Sequence, residues 1–186
     1  MAIGYSVFDT AIGACSIVWR ENAILDTELP QRDTQAAHAR IHRHFPAAKA
    51  TPPPTEIDRT IDKIVRLLNG EHVDLSDAVL DMRGVGEFQR KVYEIVRTIA
   101  PGRTMTYGEV AGRLGDRLAA QAVGRAMARN PFPIIVPCHR VLAANGKPGG
   151  FSAVGGIRTK LTMLTIEGWQ PDGEPTLFQT DGIHVL

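Results

Sequence analysis

A chain of 186 residues with 44% apolar content and a formal charge of +1 can close one large hydrophobic core or two small ones. Two cysteines are too few for a secreted disulfide framework and no apolar window spans a bilayer, so the expectation is a cytoplasmic protein with two free thiols and no membrane partner. Charge is unevenly placed: residues 1–99 hold 12 Lys and Arg against 14 Asp and Glu, while residues 100–168 hold 9 against 3, which puts any polyanion contact in the C-terminal half.

In chain order, Ile3–Phe8, Ala14–Trp19 and Ala23–Leu29 read as short strands, separated by the turn signals Thr10–Gly13 and Arg20–Asn22. They predict a small antiparallel sheet. Thr34–His44 has helical periodicity. Its His38 and His42 have a metal-like i, i+4 spacing, but neither an HExxH pattern nor a nearby cysteine accompanies them, so no metal is expected. Pro52-Pro53-Pro54 interrupts the chain before a second helix, Glu56–Leu68, with the apolar stripe Ile57, Ile61, Ile64, Leu67 and Leu68, ended by Gly70. Val73–Met82 alternates enough to suggest an extended segment, with a strand returning to the sheet as one form of it, and Arg83-Gly84-Val85-Gly86 marks a domain boundary. Beyond it Phe88–Ile99, Tyr107–Leu114, Leu118–Ala128 and Gly155–Glu167 read as helices. The middle two are short, joined by Gly115-Asp116-Arg117 and basic, which fits a helix-turn-helix. Arg117, Gln121, Arg125 and Arg129 recur every four residues there, beside the small Ala119, Ala120, Ala122 and Gly124; such a helix can approach a narrow groove closely.

The chemistry concentrates in Asn130-Pro131-Phe132-Pro133-Ile134-Ile135-Val136-Pro137-Cys138-His139-Arg140-Val141. Three prolines rule out a helix through this segment and predict a stiff, extended strand leading to the sulfur. A cysteine reacts as thiolate, and the adjacent imidazole and guanidinium of His139 and Arg140 are expected to lower its pKa. Cys138 therefore reads as a nucleophile, and Cys15, set differently, does not by itself make a metal site.

Met105-Thr106-Tyr107-Gly108-Glu109-Val110-Ala111, Ala122-Val123-Gly124, Asn130-Pro131, Pro137-Cys138-His139-Arg140-Val141, Gly155-Gly156, Lys160, Leu164 and Glu167-Gly168 occur in that order. Over roughly residues 84–168 this pattern resembles the O6-alkylguanine-DNA alkyltransferases. The resemblance implies an α+β protein: an N-terminal ribonuclease-H-like α/β domain over residues 1–83, a mostly helical DNA-binding and alkyltransferase domain over 84–168, and a tail over 169–186. It implies that a damaged guanine is flipped out of DNA and that Cys138 takes its O6-alkyl group irreversibly, once per molecule. His139 would be the base, acting through a water, Glu167 would orient it, and Asn130 would tie the active-site turn. Tyr107 would donate to guanine N3 as charge develops on the leaving purine. DNA contacts would come from Thr106, Tyr107, Arg117, Gln121, Ala122, Gly124, Arg125 and Arg140, and the pocket from Met127, Val141, Phe151 and Ser152.

The partner so implied is alkylated double- or single-stranded DNA, met through the minor groove with little sequence preference by a monomer that needs no cofactor. O4-alkylthymine is a further implied substrate. The alternative is a sensor that binds alkylated DNA without transfer; such relatives lack the cysteine that stands here at 138. Two departures from the family pattern stand out. Gln121 occupies the position of the usual inserted arginine, and the loop Gly149–Gly156 is two residues longer than in some members, with Phe151 where several have tyrosine.

Overall fold

The computed structural model describes residues 2–170, so most of the expected tail lies outside the described residues. Strands β1 (Ile3–Phe8), β2 (Cys15–Arg20) and β3 (Ala23–Glu28) form an antiparallel meander. A short β4 (Lys49–Ala50) pairs in parallel with β1, giving the order β3-β2-β1-β4. Because side chains alternate across a strand, β2 feeds two different cores. Cys15, Ile17 and Trp19 share a buried cluster with Ile57, Ile64, Leu67 and Leu68 of helix α2 (Thr55–Leu68). Val18, opposite Tyr5, instead joins Ile41 of helix α1 (Thr34–His44) and Ala48. The sheet is thus packed on both faces.

Local signals explain the helix ends. The Asp33 carboxylate accepts from Ala36 N at 2.7 Å and starts α1. Proline fixes the entry to α2, where Glu56 and Asp58 lie in the first turn and complement the helix dipole. Gly70, at φ 93°, closes α2 with Glu71 N donating to Arg66 O and Gly70 N to Leu67 O. The expected strand over 73–82 is not regular: it touches the sheet through one bridge, Leu80 to Ile24, where Asp81 N donates to Ile24 O and Ile24 N to Val79 O.

The C-terminal half is helical: α3 (Glu87–Arg97), α4 (Tyr107–Arg113), α5 (Ala120–Ala128) and α6 (Ile157–Ile166). Two-residue strands β5 (Met105–Thr106) and β6 (Val141–Leu142) pair in parallel and hold the start of α4 beside the segment that carries Cys138. The predicted helix from Leu118 begins later. Arg117–Ala119 form a separate 3₁₀ turn, capped by Asp116 accepting from Leu118 N at 2.9 Å. Val92, Tyr93, Val96, Val123, Phe132 and Met163 belong to the same buried cluster as Ile17 and Trp19, so the core is continuous across Gly84. Among the described residues no helix is long and apolar enough to cross a membrane.

Candidate active site

Cys138 does not sit on a strand. Ile134 takes φ 77°, an unusual conformation for a β-branched residue, and Val136 N folds back to Phe132 O at 2.7 Å. Pro137 (φ −76°, ψ 70°) then makes an inverse γ-turn in which Cys138 N donates to Val136 O at 2.7 Å. Cys138–Arg140 follow as one 3₁₀ turn. The prolines exclude a helix as expected, but they also remove the donors a paired strand needs. The segment is stiffened by Asn130 instead: its Nδ2 donates to Val136 O at 2.8 Å and its Oδ1 accepts from Phe132 N at 2.9 Å. The N-terminal half adds a second tie. Thr27 in β3 donates from N to Pro131 O at 2.9 Å and from Oγ1 to Pro133 O at 2.7 Å.

Behind the sulfur lies a buried chain of charge. His139 is fully buried, and its Nε2 is 2.9 Å from Glu167 Oε1. Glu167, the C-cap of α6, is also gripped by Arg140, Nε to Oε2 at 2.9 Å and Nη2 to Oε1 at 2.8 Å. Arg140 Nη1 donates to Ile99 O at 2.5 Å. Arg140, expected among the DNA contacts, therefore points inward and is 5% exposed. Its guanidinium is satisfied by protein. Glu167 is held down to about 2, because its partners His139 and Arg140 outweigh its burial. Burial dominates at His139 and lowers its pKa, against the pull of Glu167. An ionised Glu167 beside a neutral imidazole accepts the Nε2 proton, which leaves Nδ1 as the basic nitrogen. That Nδ1 is buried with no hydrogen-bond partner.

The thiol itself differs from expectation in sign. Burial pushes the Cys138 pKa up, and an Asn130 side-chain hydrogen bond and the charge of Lys160 pull it only partly back. Arg140 does not activate it. Lys160 had a place in the motif but no assigned role; its charged end lies behind the Tyr107 and Phe151 rings. It is fully buried, donates to Val141 O and Pro148 O at 2.6 Å each, and lies 6.0 Å from the Tyr107 ring centre and 5.8 Å from that of Phe151. Burial lowers its pKa to about 8. A lone lysine in the apolar run of α6 was the available signal.

Cys138 stands where two cavities meet. One, of about 500 Å³, is lined by Tyr107, Gly124, Met127, Ala128, Gly150, Phe151 and Ser152. The other, of about 160 Å³, shares Met127, Ala128, Phe151 and Ser152 and reaches β3. The expected pocket residues Met127, Phe151 and Ser152 thus converge on the sulfur. Val141 does not: it is fully buried in β6 and lines neither cavity. A Cβ at Gly149 would lie 3.4 Å from the Tyr107 ring, and φ is 68° there, so glycine lets the loop close over the tyrosine. Thr106 caps α4, accepting from Glu109 N at 3.1 Å, while its own N donates to Glu109 Oε2 at 2.6 Å. Arg117, Gln121, Arg125 and Arg129 are exposed, and Ala122 is half-buried. His38 and His42 lie apart from this site, both beside Tyr5 OH, at 3.0 and 3.4 Å. Among the described residues no three His, Cys, Asp or Glu side chains cluster as a metal would need.

Residues 87–169 match the family model described as 6-O-methylguanine DNA methyltransferase, DNA binding domain. The methylated-DNA–protein-cysteine methyltransferase of Mycobacterium tuberculosis is 35% identical over 176 residues, covering 95% of this chain and 99% of that protein. Its namesake from Methanothermobacter thermautotrophicus is 40% identical over 122 residues, 66% of this chain and 67% of that protein. A crystal structure of M. tuberculosis OGT in complex with DNA superposes with TM-score 0.70 at 34% identity, over 88% of this chain and 92% of that one. The Pro-Cys-His-Arg turn, the buried Glu167 and full-length similarity agree, and the chain belongs to the methylated-DNA–protein-cysteine methyltransferase family.

Proposed function

We propose that this protein repairs DNA by moving the alkyl group of O6-alkylguanine, and of O4-alkylthymine, onto Cys138. The observation that carries the reading is the position of that sulfur: at the junction of two cavities, with a buried imidazole, carboxylate and guanidinium chain behind it. The damaged base would be flipped into the larger cavity. His139 Nδ1 takes the thiol proton through a water, the sulfur attacks the O6-bound carbon in line, and the carbon–O6 bond breaks with its electron pair passing to the purine. The purine takes up one proton from water, His139 returns the thiol proton to solvent, and Tyr107 donates a hydrogen bond to N3 as the charge builds. The products are an S-alkyl cysteine and an intact base. A thioether has no leaving group, so each molecule reacts once.

In this reading residues 84–168 form the DNA-binding and alkyltransferase domain, and residues 1–83 a ribonuclease-H-like domain that holds the active-site turn through Thr27. Helices α4 and α5 act as a helix-turn-helix in the minor groove. Arg117, Gln121, Arg125 and the flat surface at Ala122 and Gly124 meet the backbone and the gap left by the base, on single- or double-stranded DNA alike. The protein works as a cytoplasmic monomer without a cofactor.

Intact-mass spectrometry with peptide mapping, after mixing with duplex DNA bearing one O6-methylguanine, tests this. The expected result is one methyl on Cys138, saturating at one per protein and absent in Cys138→Ser. Tight binding to the lesion with no gain in mass overturns transfer and leaves a sensor.

A further inference from the structure

The smaller cavity holds a feature that methyl transfer does not use. Beyond Cys138 its wall is formed by Asp26, Thr27, Glu28 and Leu29 of β3 and its end, with Arg40 from α1. Glu28 is 5% exposed. Its Oε1 accepts from Arg40 Nε at 2.5 Å, while its Oε2 is buried and accepts from no N–H or hydroxyl group of the protein. A carboxylate oxygen so buried has lost the water donors it had in the unfolded chain and gains from any donor that enters. Arg40, 46% exposed, bonds one oxygen of Glu28 and leaves the other facing the recess.

The space is also larger than a methyl needs. At about 160 Å³ it corresponds to roughly five waters at about 30 Å³ each. In-line attack sets sulfur, carbon and O6 on one axis, so the rest of a longer alkyl group must leave that axis sideways. The recess opens from the sulfur between Phe151–Val154 and β3, which gives such a tail a place to go.

We infer that this recess is a specificity site for O6-alkyl groups ending in a cationic hydrogen-bond donor, with Glu28 Oε2 as the acceptor for the terminal ammonium and Asp26 as its neighbour. The inference rests on the alkyl-transfer reading above. Asp26 bears on it: burial first, then the charge of Glu28, with a side-chain hydrogen bond to Glu28 adding to both, holds its carboxyl up to about 8, so at neutral pH the two carboxyls share a proton that an ammonium can replace. An arriving ammonium favours loss of that proton to solvent, and the recess can match the added charge without importing a counter-ion.

The test compares rates of transfer to Cys138 from oligonucleotides carrying O6-(2-aminoethyl)guanine and O6-propylguanine, which have the same heavy-atom length, and the longer aminobutyl and pentyl pair. O6-methylguanine is the reference. At least one ammonium-bearing group is expected to transfer about tenfold or more faster than its alkyl isostere, the lower end of what a bond to a charged group contributes. Glu28→Gln is expected to bring that ratio to within about twofold. Equal or slower transfer of both ammonium groups overturns the inference, as does an undiminished ratio in Glu28→Gln. The ratio within the unmodified protein stands by itself if that variant does not fold. Failure of O6-methylguanine to react at all would instead sink the alkyl-transfer reading.

Discussion

Arg140 holds Glu167 with two parallel hydrogen bonds, Nε to Oε2 and Nη2 to Oε1, and both side chains are buried. A carboxylate at the C-terminal end of a helix opposes the helix dipole, and here the guanidinium fork supplies the compensation. The same fork turns the carboxylate toward His139. An arginine that reads from sequence as a DNA contact is in fact turned inward, where it holds the carboxylate that meets His139.

Removing that fork leaves a buried charge uncompensated. Arg140→Ala is expected to destabilise the protein by about 3–5 kcal/mol. Arg140→Lys keeps the charge but loses the bidentate geometry, and a loss of about 1.5–3 kcal/mol is expected. Urea unfolding measures both; an unchanged midpoint for Arg140→Ala means that Glu167 is held by something else.

Acid should undo this network in a defined window. Glu167 and Asp81 are both held near 2, below the ordinary 4.5 and 3.8, Glu167 by His139 and Arg140 and Asp81 chiefly by Arg83. Their depressed values contribute stability that is complete above about pH 4.5 and is lost as pH falls toward 2. Glu167→Gln is expected to be less stable than the parent at pH 7, with a shallower decline in that window. A parallel decline in parent and variant would show that Glu167 is not the group titrating.

Asp26 runs the other way. The folded protein keeps its proton to about 8, whereas an unfolded chain releases it near 3.8. Folding therefore takes up a proton between those values, and stability falls as pH rises, by at most about 1.4 kcal/mol per pH unit. Asp26→Asn should flatten the profile from pH 4 to 8 and raise the melting temperature at pH 8. Identical slopes in parent and variant would assign the proton elsewhere.

Lys160 links packing to reactivity. Lys160→Met strands the carbonyls of Val141 and Pro148 and removes a positive charge that lowers the thiol pKa. A cost of about 1–3 kcal/mol for each carbonyl left without a partner is expected, together with slower alkylation of Cys138 at pH 7. The rate should recover as pH is raised toward the thiol's own pKa. Slow alkylation that stays flat with pH would make Lys160 purely structural.

Gln121 is exposed on α5, on the side that leads through Gly124 and Ala128 to the larger cavity. In this position a neutral amide bonds to an unpaired base more weakly than a guanidinium does. Gln121→Arg should raise repair of duplex DNA about tenfold and leave single-stranded repair within about twofold, as stopped-flow kinetics on both substrates would show. Equal change on both substrates would remove Gln121 from base extrusion.

Much of this protein is written locally. Alternation in Ile3–Phe8 and the following strands, the 3.6-residue stripe of α2, the capping residues Asp33 and Thr106 and the prolines around Cys138 each act within a few residues, so the sequence by itself determined most of the elements, and the family resemblance singled out Cys138, His139, Glu167 and Asn130, which the fold brings to one turn. Only the tertiary structure decided what those groups face. Arg140 turns inward to Glu167, 27 residues away, burial raises the thiol pKa where neighbours in sequence suggested a lower one, and a γ-turn replaces the expected strand. Thr27 reaches Pro133 across 106 residues and brings Asp26 and Glu28 to the wall beside the sulfur. Periodicity and turn chemistry depend on near neighbours, whereas desolvation and ion pairing depend on whichever distant groups packing brings within a few ångströms.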